Sequence, residues 1–387
     1  MRIVDVNFIF DENLTTQEEQ LKQHYTVVGW AEALQRKGTE VIAVKRFTSD
    51  GTLLVNGVLY YFIKDRFPGH LKAWQIPLRL LKIVASLDPD VVHLHGLFFS
   101  LQTLVLKLFL KRKAVIIIQH HGGPIPKGFK KSCHDLFNSV ANAFLFTTIE
   151  QGRQWFKKTS RKILPVMEGS TFFNYDNRLL TTARCHQDVE MYRDKTGMMG
   201  DPIFLWVGRL DDNKDPLTVL SGFEILLDSN KNGMLYMVYS GELILEEVKE
   251  KVSNSDVLKD KVKLLGKIAH GELEAFYFSA DYFVLGSHYE GSGYALSEAL
   301  GCGCVPIVTD IPSFRMMTND GQLGALWEAG NPKSFVVAVN MAFSKSLDEQ
   351  RKACIDFFDK NLSFDAIAGT ALVHYKNVVQ HPLKNKR

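Results

Sequence analysis

Short apolar runs alternate along this chain with longer stretches of helical periodicity. RIVDVNFIF (2–10) has the pattern of a strand, and EEQLKQHYTVVGWAEALQRKG (18–38) that of an amphipathic helix closed by Gly38. TEVIAVKRF (39–47) is the next strand, and AWQIPLRLLKIVASLDPD (73–90) the next helix. DVVHLHG is a buried strand carrying His93 and His95 at its carboxyl end, and KAVIIIQHHGGP repeats that design with His120, His121 and two glycines. NAFLFTTIEQG and KILPVMEGS complete this half. Around 175–200 the periodicity is lost and the chain becomes polar, after which a second alternation begins with PIFLWVGRL. Asp215 is placed to cap a helix whose first residue is Pro216. GMLYMVYSG, DKVKLLGKI, ADYFVLGS and CVPIVTD are further strands, and SFDAIAGTALVHYKNVVQ (363–380) is the last helix.

Strands alternating with helices predict an α/β fold with parallel sheets, and 387 residues suit two domains better than one. The expected organisation is a first domain over 1–185, a linker over 186–200, a second domain over 201–362, and a terminal helix with a basic tail over 363–387.

Composition narrows the function classes. No apolar run reaches about 20 residues, so no transmembrane helix is expected, and the N-terminus has a strand pattern rather than that of a signal peptide. The five cysteines are scattered without a CxxC pair, which fits a reducing cytoplasm and gives no zinc signature. Net charge is +3, but residues 1–200 hold 27 Lys and Arg against 18 Asp and Glu, and residues 51–131 hold 12 against three. That imbalance fits either an anionic partner (a phospholipid surface, a phosphorylated acceptor or an acidic glycan) or a solvated basic face. Nucleic acid is not expected as a partner, because the aromatics there, such as Phe98 and Phe99, have the pattern of core residues rather than of a stacking stripe. No GxGxxG follows a predicted strand, which argues against a nicotinamide dehydrogenase.

The candidate chemistry lies at the carboxyl ends of predicted strands, where doubly wound sheets bind ligands. In VGRLDDNK, Arg209 and Lys214 flank a strand-to-helix turn, where two cations would neutralise a diphosphate or simply form surface salt bridges. In HYEGSGYALSEALG, Gly291 and Gly293 permit close backbone approach, and a helix beginning near Ser292 would turn its positive end to an anion. Glu290 and Glu298 bracket that turn, and each carboxylate can accept from two vicinal hydroxyls. Ala295, Leu296, Ala299 and Leu300 have the pattern of buried residues and place Glu298 near the core side of its helix.

Taken together, FLWVGRLDDNKDPLTVLSGF, VKLLGKI, ADYFVLGSHYEGSGYALSEALGCGCVPIVTD and PDVVHLHG resemble glycosyltransferase family 4, most specifically over 203–312 and more loosely over 1–170. The resemblance implies a GT-B fold: two facing Rossmann-like domains with a cleft between them, and a last helix that crosses back to the first. It also implies a retaining transfer from a UDP- or GDP-type nucleotide sugar to a hydroxyl acceptor, in cell-surface or exported glycan synthesis. The acceptor would be a glycan or lipid-linked glycan. Arg209 and Lys214 would hold the diphosphate, and Glu290 with the amides of Gly291, Ser292, Gly293 and Tyr294 the sugar and phosphate. Glu298 would take the ribose, the backbone at Lys267 and Ile268 the base, and His121 the sugar near its reacting carbon. No cofactor and no metal would be required, since the departing phosphate oxygen accepts the acceptor's proton in that mechanism.

The pattern also departs from the family. FDENLTTQEEQ lacks the Gly-Gly loop after the first strand, EGST (168–171) replaces Asn-Gly-x-Asp, and YSGEL (239–243) stands where Gly-x-Gly is usual. The expected location is cytoplasmic, with peripheral contact at the inner membrane face left open. A GT-B sugar-nucleotide epimerase and a non-catalytic nucleotide-sugar-binding partner are the alternatives.

Overall fold

The structure is a computed structural model. It describes residues 1–67, 69–111, 113–156, 162–170, 186–229, 231–291 and 293–381. The chain forms two compact units, one of Met1–Gly169 with Phe364–Arg387 and one of Ser170–Ser363.

Unit 1 is built on strands β1 (Arg2–Asn7), β2 (Glu40–Arg46), β3 (Gly51–Val55), β4 (Val58–Ile63), β5 (Val91–His95), β6 (Val115–Gln119), β7 (Ala143–Phe146) and β8 (Lys162–Pro165). They lie in the order β3-β4-β2-β1-β5-β6-β7-β8, parallel except for the β3–β4 hairpin. The helices between them are α1 (Gln17–Gln23), α2 (Tyr25–Arg36), α3 (Leu78–Ser86), α4 (Ser100–Phe109), α5 (Gly128–Phe137) and α6 (Ile149–Trp155). The sheet is covered on both faces, and β5 and β6 are buried at each residue, as continuous apolar runs require. Ile3, Val41, Val91 and Ile117 meet Trp30 and Leu34 of α2 on one face. Val4, Ile42, Val92 and Ile116 meet Leu80, Leu106 and Trp155 on the other.

The helix expected over 18–38 is two helices that break at His24. The β3–β4 hairpin falls in a stretch that no sequence pattern assigned. It turns on Asn56 and Gly57, with φ of 49° and 82°, the pair of positive dihedrals that a two-residue hairpin of matching twist needs.

Unit 2 opens with α7 (His186–Thr196), inside the stretch expected as linker, and continues with β9 (Ile203–Leu210), α8 (Pro216–Asp228), β10 (Met234–Glu242), α9 (Leu245–Ser253), α10 (Leu258–Lys261), β11 (Val262–Gly266) and α11 (His270–Ser279). Then come β12 (Tyr282–Leu285), α12 (Tyr294–Gly301), β13 (Val305–Thr309), α13 (Pro312–Met317), β14 (Ala325–Trp327), α14 (Pro332–Phe343) and α15 (Leu347–Asn361). The all-parallel sheet runs β11-β10-β9-β12-β13-β14. Its first three strands step one way from β9 and its last three the other, so the order reverses between β9 and β12. The last helix, α16 (Phe364–Gln380), belongs to unit 1 and packs on α2. Gly29 of α2 makes that possible, because a Cβ there would sit 2.3 Å from the Phe364 ring. Among the described residues, no helix is long and apolar enough to cross a membrane.

Candidate active site

A parallel sheet leaves a crevice where neighbouring strands send their connections to opposite faces, and ligands bind there. In unit 2 that point lies between β9 and β12: Arg209 stands near the end of β9, and the loops following these two strands carry Lys214 and Glu290. The loops are stitched together. Asn213 donates its side-chain amide to the Tyr289 carbonyl at 3.0 Å and accepts from the Tyr289 amide at 3.1 Å, and its carbonyl accepts from the His288 amide at 2.8 Å. Gly286 is required by this closeness, since a Cβ there would lie 2.8 Å from the Asp215 carbonyl oxygen. Asp215, with φ of 43°, caps α8 through the Thr218 amide, as its place before Pro216 predicts.

The Lys214 ammonium contacts the Glu290 carboxylate, with side chains only 15% and 11% exposed. Ser287 donates to the same carboxylate oxygen at 2.7 Å. Arg209 is exposed and pairs with Asp211 at 2.9 Å. Gly293, with φ of 63°, caps α12 without a side chain, so the helix starts at Tyr294. Ser292 lies outside the described residues. Glu298 is 6% exposed, on the core side of α12 as its neighbours predict. It accepts from the Tyr277 hydroxyl at 3.0 Å and meets His270 Nε2 at 3.0 Å. Lys267 and Ile268 follow the positive-φ Gly266 at the end of β11, Lys267 exposed and Ile268 half-buried. The structure thus joins Lys214 directly to Glu290, while Glu298 sits apart with partners from α11.

Unit 1 has its own cluster, at the carboxyl ends of β1, β5 and β6. His95 Nε2 meets Asp5 Oδ2 at 2.8 Å, His95 Nδ1 meets His121 Nε2 at 2.8 Å, and His121 Nδ1 meets Glu168 Oε1 at 2.6 Å. The Tyr375 hydroxyl of α16 lies 2.9 Å from His93 Nδ1. Asp5, His93, His95 and Glu168 are buried, whereas the His121 side chain is 31% exposed.

Burial alone would lower the His121 pKa, but the Glu168 charge and hydrogen bond, helped by Asp5, raise it overall. Burial lowers that of His95 despite Asp5. For Asp5, burial pushes upward and is overcome by His95, His93 and Lys45, so its pKa falls. Lys45 is pushed down to about 8 by burial, and its Nζ has no hydrogen-bond partner among the described residues. Donor atoms of Asp5, His93 and His95 come within 4.8 Å of one another. Asp5 Oδ2 is engaged by His95 and His93 Nδ1 by Tyr375, while Asp5 Oδ1 and His93 Nε2 have no hydrogen-bond partner among the described residues; the buried Lys45 beside them disfavours a cation there. His120 turns away, stacked on Phe146 at 5.0 Å, with its Nδ1 accepting from the Gly122 amide.

Sequence patterns missed Asp5, Lys45, Tyr277, His270, Ser287 and Tyr375. Glu168 was visible only as the first residue of the departure from Asn-Gly-x-Asp.

Comparison with known proteins agrees with this geometry. The family described as glycosyl transferases group 1 matches residues 188–357, and that described as glycosyltransferase family 4 matches 24–161. The chain is 25% identical over 332 residues to a GDP-mannose:cellobiosyl-diphosphopolyprenol alpha-mannosyltransferase of Xanthomonas campestris, covering 83% of this chain and 82% of that one. A glycosyltransferase from Rickettsia africae superposes with a TM-score of 0.73 at 16% identity, over 98% of this chain and 99% of its own. Anabaena HepE in complex with UDP does so with a TM-score of 0.71 at 11% identity, over 97% and 100%. The fold is therefore GT-B, with two Rossmann-like domains, and the chain belongs to the group 1 glycosyl transferases of glycosyltransferase family 4.

Proposed function

We propose that this enzyme transfers a sugar, with retention of anomeric configuration, from a UDP- or GDP-type nucleotide sugar to a hydroxyl of a glycan or lipid-linked glycan. The observation that carries the reading is the Lys214–Glu290 pair at the reversal point of the unit 2 sheet, with Arg209 near the end of β9 just ahead of the Lys214 loop. A leaving diphosphate develops negative charge, and fixed cations aimed at it stabilise the transition state. Arg209, Lys214 and the α12 N-terminus supply that charge from the protein, so the proposal needs no metal. Glu290 and the Gly291–Tyr294 amides hold the sugar and phosphate, and His121 holds the sugar near its reacting carbon. The backbone at Lys267 and Ile268 meets the base. Glu298 takes the ribose, since a carboxylate can accept from two vicinal hydroxyls. The activity for which the Xanthomonas relative is named supports a nucleotide-sugar donor and a diphosphopolyprenol-linked acceptor.

Such an acceptor resides in a membrane, and unit 1 has a surface suited to one. Trp74, Phe98 and Phe129 are 70%, 47% and 84% exposed, on the segments leaving β4, β5 and β6, so Phe98 is a surface ring and not the core residue its sequence pattern suggested. Gln102 of α4 donates to the Gln75 carbonyl at 2.8 Å and holds the Trp74 segment against that helix. The Phe98 ring packs over Gly123, on the segment leading to Phe129. Residues 66–134 contain 11 Lys and Arg against two acidic residues, Asp88 and Asp90, and both acids pair with Lys113. Exposed aromatic rings in a stretch with a net excess of cations, although Arg79, Lys111 and Lys131 pair with Asp50, Asp88 and Asp135, match an anionic phospholipid surface.

The test is thermal stabilisation by UDP, GDP and ADP, with Arg209→Ala as the control. A ligand at about 100 times its Kd adds about 2.7 kcal/mol. Stabilisation by one nucleoside diphosphate that Arg209→Ala loses supports the donor assignment, and its absence with all three sinks it. With the donor fixed, the anomer of the product tests retention. Turnover without acceptor would instead favour an epimerase, and binding without turnover a non-catalytic partner.

A further inference from the structure

The unit 1 chain Asp5–His95–His121–Glu168 contains three hydrogen bonds that link two carboxylates through two imidazoles. Each bond needs one proton. Two neutral imidazoles bring two, so the chain as built holds one more. With both carboxyl groups ionised, as the lowered Asp5 pKa supports for that end, each end accepts, which places protons on His95 Nε2 and His121 Nδ1. The third lies between His95 Nδ1 and His121 Nε2, so one of the two rings is an imidazolium.

Burial decides which ring. His95 is 2% exposed and enclosed by β1, β5 and α16, where an added charge is costly, whereas the His121 side chain is 31% exposed and touches the Glu168 carboxylate. Among the described residues, the titratable groups facing the chain include His93 on β5, Lys45 on β2, Tyr375 on α16 and His120 beside His121. Lys45 disfavours a second cation near Asp5, so it too pushes the proton outward to His121.

We propose that His121 stands as a fixed imidazolium, its charge set by Glu168 and its ring orientation by the neutral His95–Asp5 pair behind it. Glu168, His95 and Asp5 are then positioning residues. With both ring nitrogens protonated and committed to protein partners, His121 has no lone pair with which to act as a general base. It presents a positive charge to an anionic or electron-rich ligand group. That consequence for transfer rests on the glycosyltransferase reading above, but the protonation state does not.

The experiment is a long-range proton–nitrogen correlation on histidine-labelled protein without ligand, with His121 identified by its absence in His121→Asn. The expected result is that both His121 nitrogens are protonated at pH 7, the direction in which the Glu168 carboxylate moves the ring. In the isosteric Glu168→Gln the titration midpoint of the ring falls by about one to three units, the usual effect of losing an adjacent opposite charge. A neutral His121 at pH 7 in the parent protein overturns the proposal without any variant. A Glu168→Gln midpoint that does not move overturns it too. Because no donor or acceptor is present, failure of the glycosyltransferase reading leaves this result intact, and the reverse also holds.

Discussion

Lys214 and Glu290 form an ion pair between the two loops that flank the reversal point of the unit 2 sheet, largely shielded from solvent. Without ligand, Glu290 therefore holds the cation that a diphosphate would claim. Lys214→Ala is expected to lower transfer by roughly 100- to 1,000-fold, the range for losing one aligned electrostatic stabiliser, and to weaken nucleoside diphosphate binding. Glu290→Gln should lower transfer as well, yet leave nucleoside diphosphate affinity unchanged or tighter, because it frees the ammonium. Calorimetric titration of both variants decides: equal weakening by the two substitutions would rule out competition for Lys214.

Glu298 has a structural partner and a proposed ligand, and the two can be separated through Tyr277. The Tyr277 hydroxyl is fully buried against Glu298, and a hydrogen bond to a charged group contributes about 1.5–3 kcal/mol. Tyr277→Phe should therefore lower the melting temperature by several degrees while nucleotide binding stays within about threefold. Glu298→Ala should lose both. If Tyr277→Phe abolishes nucleotide stabilisation, then Glu298 acts through the packing of α11 rather than on the ribose.

Which of these residues could be read from the chain follows from how local their signals are. Lys214, Glu290 and the glycines around the latter stand in short motifs whose residue types and spacing mark strand-to-helix turns, and the structure places Lys214 against Glu290. Parallel α/β architecture was legible for the same reason, because buried strands and amphipathic helices carry their own periods. Asp5 sits inside an apolar strand, and its meaning depends on β5, 90 residues away along the chain, lying beside β1. Glu168 reaches His121 across 47 residues. Tyr277 lies in a helix with apolar neighbours, where its hydroxyl left no pattern. The β3–β4 hairpin was missed because GTLLVNGVLYYFI alternates too weakly to separate from its flanks, although its Asn-Gly pair was a turn signal in plain view.

The aromatic and basic face of unit 1 predicts lipid-selective binding. The protein should sediment with vesicles containing anionic phospholipid and much less with neutral ones, and raised salt should release it, because a Debye length of about 8 Å at physiological ionic strength screens surface charge. Trp74→Ala with Phe129→Ala should reduce binding at least several-fold without changing nucleotide stabilisation, since neither residue belongs to unit 2. Equal binding to neutral and anionic vesicles would exclude the electrostatic part, and unchanged binding by the double variant the aromatic part.

Buried imidazoles set the response to acid. Burial lowers the pKa of His24, His93, His95, His120 and His134, to about 4 for His24 and His120. A lowered folded value means that the unfolded chain binds more protons once pH drops below 6.5, so stability falls as pH falls through that window. His121 has the opposite sign: its raised value contributes stability that is full below 6.5 and lost as pH rises through the folded value. Asp5, with a lowered value, contributes stability present above its ordinary 3.8 and lost on further acidification. Five groups outweigh one, so denaturant unfolding should show lower stability at pH 5 than at pH 7. His120 stacks on Phe146 and meets the Trp155 edge, a setting that an apolar ring can also fill. His120→Phe should therefore flatten the slope between pH 6.5 and 4 by about 1.4 kcal/mol per pH unit, the value of one proton's linkage. An unchanged slope in that variant would mean that His120 does not contribute to acid sensitivity, whatever its effect on stability at neutral pH.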